Sequence, residues 1–145
     1  NEKMPEHVVE LATDAFKECN KTIQGSDILI LGISYKPDVK DIQLTPAENI
    51  IKKLKDLGAN IHIYDPYFSL TNVFGINTEE NLETTTLKKM DAAIIVTGHK
   101  EFKNFTISNF RLMRNPILID TRGVFDPVEA KNAKLIFRGL GRGQS

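Results

Sequence analysis

Lys36 follows an aliphatic run, Leu29-Ile30-Leu31, that ends at Gly32, and it leads through Pro37-Asp38-Val39-Lys40-Asp41 to Thr45-Pro46. An apolar strand, a polar loop and a helix opening at Pro46 place this lysine at the carboxyl end of a parallel sheet. Open α/β sheets take their ligands at that edge, where loop N–H groups and a helix dipole suit an anion. Lys36 is therefore a candidate phosphate ligand; the other reading is a solvated loop lysine paired with Asp38 or Asp41. Arg122 repeats the pattern after Asp120, at the end of a second apolar run. Its planar fork suits bidentate contact with a phosphate or a uracil edge, and an internal pair with Asp120 is the alternative. The expectation is that Lys36 and Arg122 converge on one electropositive mouth.

The remaining reactive side chains carry weaker signals. A dinucleotide fingerprint needs three glycines where only Gly32 is present, and no phosphate-cradling P-loop occurs, so the expected ligand is a nucleotide outside a standard NAD site. Cys19 lies on an apolar helix face with no histidine near it in sequence, which reads as packing. His7, His62 and His99 lack metal-ligand spacing, so no metal is expected. His62 reads as a satisfied strand residue, and His99 closes a strand and is a candidate to line the cleft. Asp65 and Asp91 invite comparison with a phosphoacceptor receiver domain, but the third strand ends at Thr97-Gly98 without an acceptor aspartate.

The elements that must hold these residues follow from periodicity. Met4, Val8, Leu11, Ala15 and Cys19 recur at helical spacing, and Gly25 stops that helix. Strands are predicted over 27–32, 60–64, 92–97, 116–119 and 134–137. Helices are predicted over 46–57, 81–90 and 107–113 and a turn or helix near 127–132, with 67–77 irregular and Arg138 to Gly143 a flexible basic tail. Strands alternating with helices imply α/β architecture: a doubly wound, Rossmann-like parallel sheet of about five to six strands, preceded by a long amino-terminal helix.

At 145 residues the chain can bury a full core. Nineteen basic and nineteen acidic residues cancel, so charge draws it to neither nucleic acid nor an anionic membrane. No apolar run approaches the roughly 18–20 residues a bilayer requires. The single Cys19 excludes an internal disulfide and suits a reducing cytoplasm. The chain opens at Asn1-Glu2-Lys3-Met4-Pro5, already at a helix start that Asn1 is placed to cap, and is expected to be a fragment of something longer.

The run Leu31-Gly32-x-x-Tyr35-Lys36-Pro37-Asp38-x-x-Asp41-x-x-x-Thr45-Pro46-Ala47 resembles the signature that opens the carboxyl-terminal domain of the UDP-glucose/GDP-mannose dehydrogenase family. Three further blocks agree: Gly58-Ala59 with Tyr64-Asp65-Pro66, Thr97-Gly98-His99-x-x-Phe102, and Asp120-Thr121-Arg122. Asn1-x-x-Met4-Pro5 resembles the family's exit from its central dimerisation helix, and the resemblance spans essentially the whole chain. The closing Arg138-Gly139-Leu140-Gly141-Arg142-Gly143 is most similar to the UDP-N-acetyl-D-mannosamine dehydrogenase branch.

The resemblance implies NAD-dependent enzymes that oxidise the C6 alcohol of a nucleotide sugar to a carboxylate. Two hydride transfers pass through a cysteine-bound thiohemiacetal and thioester. It implies that residues 1–24 end the dimerisation helix region and that 25–145 form the UDP-sugar-binding domain of a homodimer or higher homo-oligomer. Tyr35 and Lys36 would meet the UDP-sugar, and Arg122 would reach the nucleotide. NAD would be held mainly by an amino-terminal domain outside this chain. Cys19 would not be the nucleophile, since the family's cysteine sits in a Gly-rich Cys-Phe/Leu-Pro-Lys segment that is absent here. The chain alone would then be inactive. Gln43 stands where the family usually has arginine, which removes a charge that would pair with Asp38 or Asp41 and predicts a looser loop. Two other readings remain open: a stand-alone nucleotide-binding regulatory module, and a structural domain whose loop charges merely solvate it.

Overall fold

Asp27–Leu31 forms β1, the strand from which the sheet grows in both directions, and it is an aliphatic run because both of its faces are covered. The computed structural model describes residues 3–140, so a cap from Asn1 and the end of the tail, Gly141-Arg142-Gly143, lie outside the described residues. The other sheet strands are β2 (Asn60–Tyr64), β5 (Ala92–Ile95), β6 (Ile117–Asp120) and β7 (Ile136–Gly139). They lie in the order β2-β1-β5-β6-β7, and every neighbouring pair is parallel.

Alternate strand residues feed two cores. Ile28, Ile30, Ile63, Ile94 and Ile119 point to one face, where α1 (Met4–Glu18) and α2 (Ala47–Asp56) bury Val8, Ala12, Phe16, Ile50 and Leu54. Leu29, Leu31, Ala93, Ile95 and Leu118 point to the other. That side is covered by α3 (Thr84–Lys88), α4 (Pro127–Asn132) and two short 3-10 helices over Lys100–Asn104 and Ile107–Leu112. Helices on both faces of a five-stranded parallel sheet make the doubly wound α/β fold that the spacing implies. Among the described residues no helix is long and apolar enough to cross a membrane.

Three segments depart from the sequence expectations. Residues 72–77, expected to be irregular, contain an antiparallel hairpin of β3 (Asn72–Val73) and β4 (Ile76–Asn77), turning at Phe74-Gly75 with φ 54° and 79°. Helix α3 is shorter than the periodicity suggests, because Glu83 and Thr86 close a reciprocal capping box at its start. Arg138 and Gly139 do not begin a flexible tail: they complete β7. The Arg138 guanidinium donates to Asp14 at 2.9 Å and to Glu18 at 2.7 Å, which ties the last strand to α1.

An ion cluster closes the amino-terminal edge of the sheet. Asp27 pairs with His62 at 2.9 Å and with Arg114 at 3.1 Å, and Arg114 reaches Asp91 at 3.1 Å. Burial pushes the Asp27 carboxyl up, but hydrogen bonds from His62 and Arg114 outweigh it and hold the group below its ordinary 3.8. A lowered folded-state value means that the unfolded chain takes up the proton first. The pair's contribution is thus present above about pH 4 and lost as pH falls through the folded value. The gap in melting temperature between the native chain and Asp27→Asn should accordingly shrink from pH 6 to pH 3. A gap that stays constant would show that ionisation at Asp27 contributes nothing.

Candidate functional site

Chain order and spatial order diverge between β1 and β5. Counted along the chain, the five sheet strands lie 2-1-3-4-5, so the loops leaving the first and third strands run to opposite sides and open a crevice at their carboxyl ends. Gly32 floors the crevice. With φ at +87°, it lets β1 approach β5 so closely that an added Cβ would stand 2.6 Å from both the Cβ and the carbonyl oxygen of Thr97. Gly98 makes room for the neighbouring strand end, since a Cβ there would meet the Arg122 Cβ at 3.2 Å.

The β1–α2 loop is folded on itself and tied down. The Tyr35 N–H donates to the Asp41 carbonyl at 2.7 Å, closing its neck. Asp38 adopts a left-handed φ of 64°; its N–H donates to Nδ1 of His99 at 2.8 Å, and its Oδ1 accepts the Lys100 N–H at 2.8 Å. The Thr45 hydroxyl accepts the Ala47 N–H at 3.2 Å, just ahead of α2. Asp41 accepts the Gln43 N–H at 2.9 Å. The loop is therefore held by backbone donors and by His99.

Lys36 and Arg122 face the same space. With Tyr35, Pro37, Thr97, Gly98, Lys103, Gly123 and Val124 they line a hollow of about 530 Å³ at the crevice mouth. Among the described residues no carboxylate lines it, whereas three cations do. Arg122 does not pair with Asp120: that carboxylate is buried and accepts the backbone N–H groups of Arg122 at 3.1 Å and Phe125 at 2.9 Å. The Arg122 Nε donates instead to the Val96 carbonyl at 2.9 Å, which leaves its two Nη groups without a partner among the described residues. Lys36 and Lys103 form no ion pair among the described residues either. Tyr35, about half exposed, and Arg122 also border an adjoining hollow of about 730 Å³ beside Leu44, Glu48 and Asn49.

Lys103 was not singled out by spacing. Its only signal was proximity to the Thr97-Gly98-His99 block, on a 3-10 turn that periodicity does not reveal. His99 does not line the cleft. It is fully buried, with Nε2 2.9 Å from Asp65, and the rings of Tyr67 and Phe102 cover it at 4.7 and 5.7 Å. Asp65 is likewise fully buried, so it is a structural acceptor. Cys19 packs partly buried against the α1 core, and burial pushes its thiol up, with the Glu18 charge adding to the effect. That is the reverse of the activation a nucleophilic thiolate needs.

A cation-lined hollow at a switch point can hold an anion of nucleotide size. The comparisons with known proteins agree with that chemistry. Residues 29–127 match the UDP-glucose/GDP-mannose dehydrogenase family, UDP binding domain. The chain is 30% identical to UDP-glucose 6-dehydrogenase TuaD of Bacillus subtilis (strain 168), over 98% of this chain and 31% of that protein. It is 35% identical to the UDP-N-acetyl-D-mannosamine dehydrogenase of Methanococcus aeolicus, over 87% of this chain and 28% of that one. In structure it resembles an NDP-N-acetyl-D-galactosaminuronic acid dehydrogenase from Methanosarcina mazei Go1, with a TM-score of 0.87 at 28% identity over 98% of this chain and 30% of that chain. It also resembles the UDP-D-ManNAc dehydrogenase of Pyrococcus horikoshii, with a TM-score of 0.81 at 29% identity over 100% of this chain and 32% of that chain. The chain thus spans about a third of the length of the relatives it matches.

Proposed function

The chain belongs to the UDP-glucose/GDP-mannose dehydrogenase family, within its UDP-binding domain, and from that premise we propose that the Lys36–Lys103–Arg122 hollow seats the nucleotide half of a UDP-sugar. The observation that carries this reading is the convergence of three cations at the crevice mouth, with no lining acid among the described residues. Lys36 and Lys103 would meet the diphosphate as point charges. The Arg122 fork, already fixed through Nε, would offer its Nη groups to a phosphate or to the uracil edge. Tyr35 would separate the nucleotide from the sugar in the adjoining hollow. The domain's contribution to catalysis is then positioning, which holds C6 of the sugar against reacting groups supplied by other parts of the enzyme.

The sugar we assign is N-acetylmannosamine, oxidised to the uronate. Support comes from the UDP-N-acetyl-D-mannosamine dehydrogenases among the relatives and from the Arg138 to Gly143 run. NAD would serve as the hydride acceptor, bound by sequence upstream of this chain. The strand-to-loop turn at Gly32 does not fit that role: it is packed against Thr97 and leads into Tyr35-Lys36-Pro37 rather than a glycine-rich turn opening a helix. Residues 1–24 would end the helical region through which a homo-oligomer assembles, with 25–145 as the substrate domain of a cytoplasmic enzyme.

Calorimetric titration of the chain with UDP tests the reading. Binding at millimolar concentration or tighter, weakened by added salt, is expected. A flat titration on folded protein would sink it in favour of a structural domain. UDP binding by the chain in a longer protein that lacks the Gly-rich cysteine segment would favour the regulatory module instead. Mixed with NAD and UDP-N-acetylmannosamine, the chain alone should form no NADH.

A further inference from the structure

The nucleotide hollow uses Lys36, but nothing in that reading accounts for the buried imidazole behind it. His99 has no solvent exposure and touches three different elements. Nε2 lies 2.9 Å from Asp65 Oδ2 and 3.2 Å from the Ser34 hydroxyl, while Nδ1 accepts the Asp38 N–H at 2.8 Å. A nitrogen that accepts a backbone N–H carries no proton, so the proton must sit on Nε2, where Asp65 accepts it. The Ser34 hydroxyl donates to the Lys36 carbonyl at 2.6 Å, and so is free to accept the second branch of the Nε2–H contact. Asp65 is fixed in turn by the N–H groups of Ile33 at 2.8 Å and Tyr67 at 2.8 Å. The chain of contacts runs from the ends of β1 and β2, through one imidazole, to the two residues that flank Pro37.

We propose that His99, as the neutral Nε2–H tautomer oriented by Asp65, is a positioning residue that sets the height and direction of the Tyr35-Lys36 segment over the nucleotide hollow. It touches no ligand; it acts through the Asp38 N–H and, by way of Ser34, the Lys36 carbonyl. Asp38 sits at a left-handed φ that a non-glycine residue rarely adopts, and the Nδ1 contact is one of two hydrogen bonds holding it there. The inference rests on the UDP reading for its functional readout but not for its geometry.

Two substitutions divide the imidazole's roles. His99→Asn places an amide oxygen near the Nδ1 position and abandons Asp65. His99→Gln reaches Asp65 and abandons Asp38. Three readouts are needed: UDP affinity, amide hydrogen exchange at Asp38, and the 15N spectrum of His99 in the unaltered chain. The spectrum should show an unprotonated Nδ1 and a protonated Nε2. His99→Asn should melt at lower temperature yet keep UDP affinity within about threefold and Asp38 exchange slow. His99→Gln should keep more of the stability but bind UDP about tenfold more weakly, with Asp38 exchanging about tenfold faster, the loss of one hydrogen bond. A protonated Nδ1, unchanged Asp38 exchange in His99→Gln, or equal UDP affinity in the two variants overturns the proposal. The spectrum and the native exchange rate decide the tautomer and the tie even where a variant does not fold. Failure of the unaltered chain to bind UDP sinks the nucleotide reading alone.

Discussion

Asp65→Ala is expected to lower the melting temperature by roughly 10–15 °C, corresponding to about 3–5 kcal/mol for a domain of this size. The carboxylate is fully buried and each of its oxygens is occupied: Oδ1 by the Tyr67 N–H, and Oδ2 by the Ile33 N–H and His99 Nε2. Alanine removes the acceptor of the buried Ile33 N–H and the part-buried Tyr67 N–H and leaves His99 Nε2–H only the longer Ser34 contact, and an orphaned buried donor costs about 1–3 kcal/mol. Asp65→Asn should lie between the two, because its amide keeps one acceptor but turns an NH2 toward a donor. Thermal unfolding followed by circular dichroism measures both. An Asp65→Ala chain that melts within 3 °C of the native one would show that water or rearrangement rescues those donors, and that Asp65 does not anchor the strand ends.

The second large effect concerns affinity. Lys36→Ala combined with Arg122→Ala should weaken UDP binding by at least about a hundredfold in calorimetry, since a hydrogen bond to a charged group contributes about 1.5–3 kcal/mol. The single substitutions should each cost about tenfold or more. Their sum need not equal the double, because both cations act on one ligand and residues that share a partner couple. Lys36→Arg should not restore full affinity: a planar fork cannot stand in for a point charge at a loop whose backbone is already fixed at Asp38. Stability should change little in Lys36→Ala, whose ammonium has no protein partner among the described residues, whereas Arg122→Ala should cost about 1 kcal/mol through loss of the Nε–H bond to the Val96 carbonyl. Unaltered UDP affinity in the double variant would move the nucleotide elsewhere on the molecule.

The elements legible in the sequence are those whose burial is local. β1 and β5 are aliphatic runs covered on both faces, and β2 matches its predicted bounds because Ile61 and Ile63 alternate with polar neighbours. The meeting of Lys36 and Arg122 was legible too, since each follows a strand end and parallel strands bring such ends to one edge. What was hidden depends on distant partners. Arg138 reads as part of a glycine-rich basic tail, and only folding brings Asp14 and Glu18 to it from the far end of the chain. His99 reads as a cleft residue until Tyr67 and Phe102 close over it, and no window of sequence contains all three. Lys103 rides on a turn too short to carry a period.

Under the proposed nucleotide reading, Arg122 and Lys36 would meet a ligand in different conditions. The arginine stem is braced by the Val96 carbonyl and passes over Gly98, where a methyl group would crowd it. The lysine stem has no such brace among the described residues. One jaw of the grip is cast before anything enters, and the other must be stilled on arrival, at a loss of rotamer freedom. A visiting anion would therefore gain the arginine contact at a smaller entropic cost than the lysine one.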